Sequence, residues 1–231
     1  MHQLSLPLQL RPDADFAAFI AGPNTEAVAA TNAWAEGGGD DFLYLFGAPG
    51  SGKSHLLQAA CHRGVQIGRS VIYLPLKHEG LVPSVLDNLE LWDLVAVDDV
   101  HAVAGKTDWE RGLFDLYNRL RESERCLLVS ADAPVSGLPL ERADLRSRLG
   151  WGPGYRLLPL AEEDCAQLLR SSARRRGLEL AADAVEYIMR RCPREPGPLM
   201  EILEEIDKES LRMRRRATLW LVRQVLGKRD S

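Results

Sequence analysis

Apolar residues in the first two thirds of the chain fall in short unbroken runs. These are Asp41-Phe42-Leu43-Tyr44-Leu45-Phe46, Ser70-Val71-Ile72-Tyr73-Leu74-Pro75-Leu76, Leu91-Trp92-Asp93-Leu94-Val95-Ala96-Val97, Arg125-Cys126-Leu127-Leu128-Val129-Ser130 and Tyr155-Arg156-Leu157-Leu158-Pro159-Leu160. Strands that are apolar throughout, rather than at alternate positions, predict a parallel sheet covered on both faces. Helical patterns lie between the runs. Residues 24–36 are Ala-rich, with Asn24 or Thr25 placed to cap and Gly37-Gly38-Gly39 to terminate. Trp109, Leu113, Phe114, Leu116, Tyr117 and Leu120 recur at helical spacing as a core-facing stripe. From residue 161 only helical patterns remain, over 162–176, 181–191, 198–215 and 218–226. The pattern predicts a tail over residues 1–12, an α/β domain with a five-stranded parallel sheet over 13–160, and a small all-α domain over 161–231.

Composition narrows the class without naming a chemistry. The chain has 231 residues, enough for a sizeable core, and is 45% hydrophobic and 27% charged. No apolar run approaches the length of a membrane span, and no basic region precedes a long apolar stretch at the N-terminus. Cys61, Cys126, Cys165 and Cys192 are far apart and form no C-x-x-C pair, which predicts free thiols rather than a metal site or disulfides. A cytoplasmic setting is expected. The net charge of −4 divides into −6 over residues 1–160 and +2 over 161–231, an asymmetry too small to indicate nucleic-acid binding by itself. Arg174-Arg175-Arg176 and Arg212-Met213-Arg214-Arg215-Arg216 read first as solvated helix faces, with a DNA or protein contact as the alternative.

The chemistry is carried by Gly47-Ala48-Pro49-Gly50-Ser51-Gly52-Lys53-Ser54, which fits G-x-x-x-x-G-K-[ST] at every fixed position. A strand precedes it, and His55-Leu56-Leu57-Gln58-Ala59-Ala60 reads as the first turns of a helix. Such glycines let backbone N–H groups converge on one anion at the positive end of a helix dipole. Gly47, Pro49, Gly50, Ser51, Gly52, Lys53, Ser54 and His55 are therefore the candidate residues for ATP or ADP. Lys53 would reach the β- and γ-phosphates, and the Ser54 hydroxyl would ligate Mg²⁺.

Three further elements follow. The third run ends in Val95-Ala96-Val97-Asp98-Asp99, the Walker B arrangement; Asp98 would hold the Mg²⁺ shell and Asp99 would polarise the attacking water. The fourth run leads to Asp132, with Ser130 as second candidate, as the polar group that orients that water, although Asp before Pro134 is also ordinary turn chemistry. The segment Asp144-Leu145-Arg146-Ser147-Arg148-Leu149-Gly150-Trp151-Gly152 places an arginine where it can act either as an arginine finger or in a surface ion pair.

Taken in order, Gly47–Ser54, Val95–Asp99, Asp132 and Arg146–Gly152 resemble the AAA+ module of the bacterial replication initiator DnaA. The Ser-Arg-x-x-Trp-Gly string from Ser147 to Gly152 is the sharpest mark. Phe19-Ile20-Ala21-Gly22-Pro23-Asn24 is similar to the segment that lines the adenine pocket in that family. Arg194-Glu195 is similar to its sensor 2 segment, so the resemblance implies that Arg194 touches bound phosphates from a lid domain. It also implies that Arg148 is the finger. Asp99 stands where most AAA+ enzymes carry Glu, and Pro196-Gly197-Pro198 departs from an ordinary helix start.

The N-terminus differs from the initiator's. Gln3-Leu4-Ser5-Leu6-Pro7-Leu8 resembles the sliding-clamp-binding motif of regulators homologous to DnaA, and the Leu113–Leu120 helix is similar to theirs as well. Gln3, Leu4, Leu6 and Leu8 are the candidate contacts: leucine anchors for a hydrophobic cleft and an amide for its rim. The resemblance implies regulatory inactivation of the initiator, in which DnaA-bound ATP is hydrolysed in complex with the DNA-loaded clamp. The expected partners are the clamp, DnaA through AAA+ surfaces, DNA indirectly or weakly, and a second copy as a homodimer, with no membrane. An autonomous ATPase that loads a helicase and a non-catalytic clamp–initiator adaptor are the alternatives.

Overall fold

A computed structural model of the chain describes residues 10–214 and 216–229. The described residues divide into two compact units, one formed by residues 10–19 with Asn24–Leu158 and the other by Ile20–Pro23 with residues from Pro159 onward.

The first unit is built on five strands, β1 (Phe42–Phe46), β2 (Val71–Pro75), β3 (Leu94–Asp98), β4 (Cys126–Ala131) and β5 (Gly154–Arg156), in the order β2-β3-β4-β1-β5 with every pairing parallel. The helices are α1 (Thr25–Glu36), α2 (Lys53–Gln66), α3 (Thr107–Glu122) and α4 (Ala143–Leu149). Alternation along β1 divides the core. Phe42 and Tyr44 pack with Trp109, Leu113, Leu116, Leu145 and Leu149 of α3 and α4, whereas Leu43 and Leu45 pack with Trp34 of α1 and Leu56 and Leu57 of α2. Both faces of the sheet are covered, which is why the strands read as unbroken apolar runs. Helix α1 stops where expected, with Gly37 in the left-handed conformation and Asn24 at its start.

Two strand boundaries differ from the expectation by more than one residue. The third strand begins at Leu94 rather than Leu91, because Asn88 turns left-handed and Leu89–Leu91 form a 3₁₀ turn with Leu91 exposed. Leu91 and Trp92 are apolar, but they close that turn and lie ahead of the sheet. The fifth strand stops at Arg156, because its pairing with β1 ends at Phe46, where the neighbouring chain turns into the 47–54 loop.

The second unit holds α5 (Glu162–Arg175), α6 (Ala182–Arg191), α7 (Pro196–Met213) and α8 (Leu219–Arg229) around Cys165, Leu169, Ile188, Leu199, Leu203, Ile206, Leu221 and Val222. Helix α7 opens two residues before the expected Pro198. Pro196 takes the first helical position, where its missing N–H leaves no gap in the ladder. No disulfide joins any of Cys61, Cys126, Cys165 and Cys192. No helix among the described residues is long and apolar enough to cross a membrane.

Candidate nucleotide-binding site

The loop between β1 and α2 is shaped by backbone that only glycine satisfies at its critical points. A Cβ on Gly47 would stand 2.5 Å from the Leu157 carbonyl oxygen. Gly52 caps α2 at φ +94°, and a Cβ there would lie 2.8 Å from the Phe19 ring. Lys53, the first residue of α2, is buried, and its Nζ donates to the Gly47 and Ala48 carbonyl oxygens at 2.7 and 2.9 Å. The lysine thus occupies the loop's acceptors. Burial pushes its pKa down, while Asp99 and Asp98 pull it back up. The Ser51 hydroxyl is buried and lacks a hydrogen-bond partner, a donor with nothing to receive it. An ammonium, an unmatched hydroxyl and the free amides of a helix N-terminus fit a polyphosphate. Ser54 lies in the first turn of α2. Among the described residues no group of three or more His, Cys, Asp or Glu could hold a metal alone. Mg²⁺ at Ser54 and Asp98 would therefore need phosphate oxygens to complete its shell.

Asp98 ends β3 and is 1% exposed. The Ser130 hydroxyl, in β4, donates to its Oδ1, and the Tyr73 hydroxyl, in β2, donates to its Oδ2 at 2.7 Å. Gln58 of α2 extends this chain of contacts: its Nε2 donates to the Tyr73 hydroxyl at 3.3 Å and its Oε1 accepts from the Arg11 amide at 2.9 Å. Asp99 then turns left-handed at φ +60°, a conformation uncommon for a residue with a side chain, and its amide donates to Ser130 Oγ at 2.9 Å. The turn aims the Asp99 carboxylate at Lys77 Nζ, 3.3 Å away.

Ser130 is thus engaged by Asp98 and the Asp99 amide. Asp132 stands at the tip of β4, with its amide donating to His101 Nδ1 at 3.2 Å and its carboxylate 3.6 Å from His101 Nε2. Burial pushes the His101 pKa down, against the pull of Asp132. His101 also stands 3.8 Å from Asp99 Oδ1, so it bridges the tips of β3 and β4. The structure therefore brings Lys53, Asp98, Asp99 and Asp132 to the carboxyl ends of adjacent parallel strands, where open α/β sheets bind ligands. Tyr73, Gln58, Lys77 and His101 belong to the same network and were not singled out from the sequence. A tyrosine within an otherwise aliphatic strand was the one available signal.

His55 lies behind the loop. Its Nε2 donates to the Asp15 carbonyl at 3.0 Å, and its ring packs on Phe19 with centroids 5.5 Å apart. It ties the loop helix to the 11–19 segment. Burial pushes its pKa below the ordinary 6.5, with the bond to Asp15 pulling the other way. Protonation is then harder in the folded chain than in the unfolded one. The corresponding stability is complete above the unfolded value and is lost as pH falls through the folded one. His55→Gln should therefore flatten the fall in Tm as pH drops below about 6.5. Parallel slopes for the variant and the wild type would refute this role.

Arg148 projects from α4 and is partly buried. Its Cζ lies 4.6 Å from the Trp151 ring centroid and 5.9 Å from that of Tyr117. Asp144, the acid four residues earlier, is paired instead with Arg142 at 2.6 Å and supplies an oxygen to the Leu145 amide at 2.8 Å. The i−4 ion pair that would give Arg148 a purely structural role is absent. Arg194, in the second unit, pairs with Glu162 and donates to the Met189 carbonyl at 3.3 Å, just ahead of α7. Gln3, Leu4, Leu6 and Leu8 lie outside the described residues.

Comparison with known proteins gives the family and the fold. The family described as bacterial DnaA ATPase domain matches residues 10–154, and that described as Hda, lid domain, matches residues 162–226. Domain III of the Thermotoga maritima replication initiation protein DnaA superposes with a TM-score of 0.83 at 23% identity, over 95% of this chain and 98% of that one. AMPPCP-bound DnaA from Aquifex aeolicus gives 0.69 at 22% identity, over 87% of this chain and 66% of that one. The Thermotoga maritima RuvB Holliday junction branch migration motor gives 0.69 at 20% identity, over 94% and 72%. At these identities the likeness to solved structures is one of fold, an AAA+ α/β domain with a helical lid; the family match covers well over half of the sequence. The chain belongs to the bacterial DnaA ATPase family and carries a lid of the Hda type.

Proposed function

We propose that the chain is a nucleotide-bound regulator that inactivates DnaA by stimulating hydrolysis of DnaA's ATP beside the DNA-loaded sliding clamp, and so prevents re-initiation of replication. Its own ADP or ATP would be held by Gly47–Ser54, with Ser54 and Asp98 on Mg²⁺ and Arg194 reaching from the lid. When bound, that nucleotide supplies the negative charge that orders the loop. Lys53 gives a point charge to the phosphates, and the Tyr73 and Ser130 hydroxyls hold Asp98 in one orientation.

The observation that carries the reading is Arg148. Its guanidinium is supported on aromatic rings and has no carboxylate partner among the described residues. An arginine kept free of acids and delivered to a neighbour's γ-phosphate is what an arginine finger requires. Clamp docking is assigned to Gln3–Leu8, and contact with DnaA to the AAA+ surfaces. DNA is reached through the clamp, and a homodimer would use the surfaces that meet DnaA. The deciding experiment is hydrolysis of DnaA-bound ATP with and without this protein and loaded clamp. No acceleration would refute the reading.

Asp99 and Asp132 favour a second reading, an ATPase that turns over its own nucleotide and loads a helicase. Asp99 is engaged by Lys77, which weakens it as a water-polarising group. Turnover by the isolated chain at the rate of a motor would favour this alternative.

The tail gives a separate prediction. Gln3→Ala combined with Leu6→Ala should abolish clamp binding, because short motifs concentrate their affinity in a few anchors, each worth about 2 kcal/mol or more. Nucleotide affinity and Tm should not change. Co-elution of the double variant with clamp would refute the assignment.

A further inference from the structure

Two guanidinium groups share one exposed indole in the first unit. Arg148 Cζ is 4.6 Å from the Trp151 ring centroid and Arg121 Cζ is 4.8 Å from it, while the ring is 58% exposed. Neither arginine has a carboxylate partner among the described residues. Two cations beside one ring without an anion to balance them is not an arrangement that stability alone favours, since like charges repel. It is useful if an anion arrives.

The backbone explains why the ring stays there. Gly152 follows Trp151, and a Cβ on Gly152 would fall 2.7 Å from the Phe42 carbonyl oxygen and closer still to the Phe42 ring. Without a side chain, the segment lies directly on the start of β1, where the Tyr44 amide donates to the Pro153 carbonyl at 3.1 Å. Phe42 packs edge-on against Tyr117 of α3, with centroids 5.4 Å apart, and Tyr117 is the second ring beside Arg148. The indole is thus tied to β1 through the glycine and to α3 through Arg121. A long, flexible arginine is presented on a rigid platform.

We propose that Trp151 is the positioning residue of Arg148: it holds the guanidinium by a cation–π contact at the height where a nucleoside triphosphate bound to a second AAA+ protein presents its γ-phosphate, with Arg121 anchoring the ring from α3. This rests on the finger assignment above and adds the group that aims the finger. An aromatic face suits the task better than a carboxylate would. It orients the guanidinium without neutralising it, and a phosphate displaces it readily because the contact is weak beside a bidentate ion pair.

The test measures hydrolysis of γ-³²P-ATP carried by DnaA, with loaded clamp, as a function of the concentration of this protein. The variants are Trp151→Ala, Trp151→Phe and Arg148→Ala. Trp151→Ala should lower the maximal rate by up to about 10²-fold, the loss that small misplacement of a catalytic group causes. The half-saturating concentration, the affinity for ADP and the Tm should stay as in the wild type, because the ring is exposed and its neighbour Gly152 packs on the first residue of β1, whereas the phosphate loop follows the last. Trp151→Phe should restore most of the rate, since phenylalanine keeps a π face. A docking role would instead move the half-saturating concentration and leave the maximal rate, and that result would overturn the proposal. So would Trp151→Phe as defective as Trp151→Ala. If Arg148→Ala is inactive while Trp151→Ala is fully active, only the positioning role fails. If Arg148→Ala is itself fully active, the finger assignment fails and the positioning role falls with it.

Discussion

Lys53→Ala is expected to raise the Kd for ADP and ATP by about 10²-fold or more. Truncating one member of a buried, hydrogen-bonded charge pair costs about 2–5 kcal/mol, and each 1.4 kcal/mol is about tenfold in affinity. Lys53 is buried and its ammonium already sits in the loop on the Gly47 and Ala48 carbonyls, the partners that phosphates would replace. A rival account makes Lys53 structural, a cap for those two carbonyls and nothing more. The accounts separate by calorimetry and melting. If Lys53 serves the phosphates, ADP no longer raises the Tm of the variant, whatever the ligand-free chain loses with the two carbonyl bonds. If it serves the loop, the ligand-free variant melts lower and ADP still raises its Tm by the wild-type increment. The second outcome, or an unchanged Kd, would refute the prediction.

What could be read from the chain was what is local. The phosphate loop was legible because strand, glycines, lysine and helix are contiguous, and the conformations they need belong to single residues such as Gly52 at φ +94°. Asp98 and Asp99 were legible because they end an apolar strand. The boundaries of β3 and β5 were not, because hydropathy records what a residue prefers rather than where the chain turns. Leu91 and Trp92 continue the apolar run of β3 and still lie outside it, since Asn88 sends the chain through a 3₁₀ turn first. The network around Asp98 was hidden for a different reason. Tyr73 and Ser130 meet Asp98 only because β2 and β4 flank β3 in register, and that pairing joins residues 25 and 32 positions apart.

The surroundings of Arg148 were equally out of reach. Asp144 stands four residues before Arg148, the separation of a helical ion pair, yet the short α4 begins at Ala143, so Asp144 lies in its first turn. There the carboxylate bonds the Leu145 amide and the Arg142 guanidinium, both closer than any group one turn on. The aromatic platform comes from α3 and from beyond α4, and only the packed fold assembles it.

Arg148→Ala is expected to abolish stimulated hydrolysis of DnaA-bound ATP, a loss of about 10³–10⁵-fold, the range an arginine finger contributes. The finger stabilises charge on a γ-phosphate that another protein binds, so the variant should bind its own ADP with wild-type affinity and should co-elute with clamp. Removing a guanidinium that has aromatic faces and no carboxylate as partners among the described residues forfeits about 0.5–1 kcal/mol, so the variant should remain folded. Arg148→Lys should recover little. An ammonium keeps the charge but lacks the planar fork that grips two phosphate oxygens, and a stacked or bidentate site does not treat the two residues alike. Asp144→Ala is the matched control: it perturbs the same helix through its first turn, and because Asp144 pairs with Arg142 it leaves Arg148 as it stands. Full activity of Asp144→Ala with loss in Arg148→Ala and Arg148→Lys would locate the effect in one guanidinium. Equal losses in the Asp144 and Arg148 variants would show that α4 matters as a structural unit. Full activity of Arg148→Ala would remove the residue on which the proposed inactivation of DnaA rests.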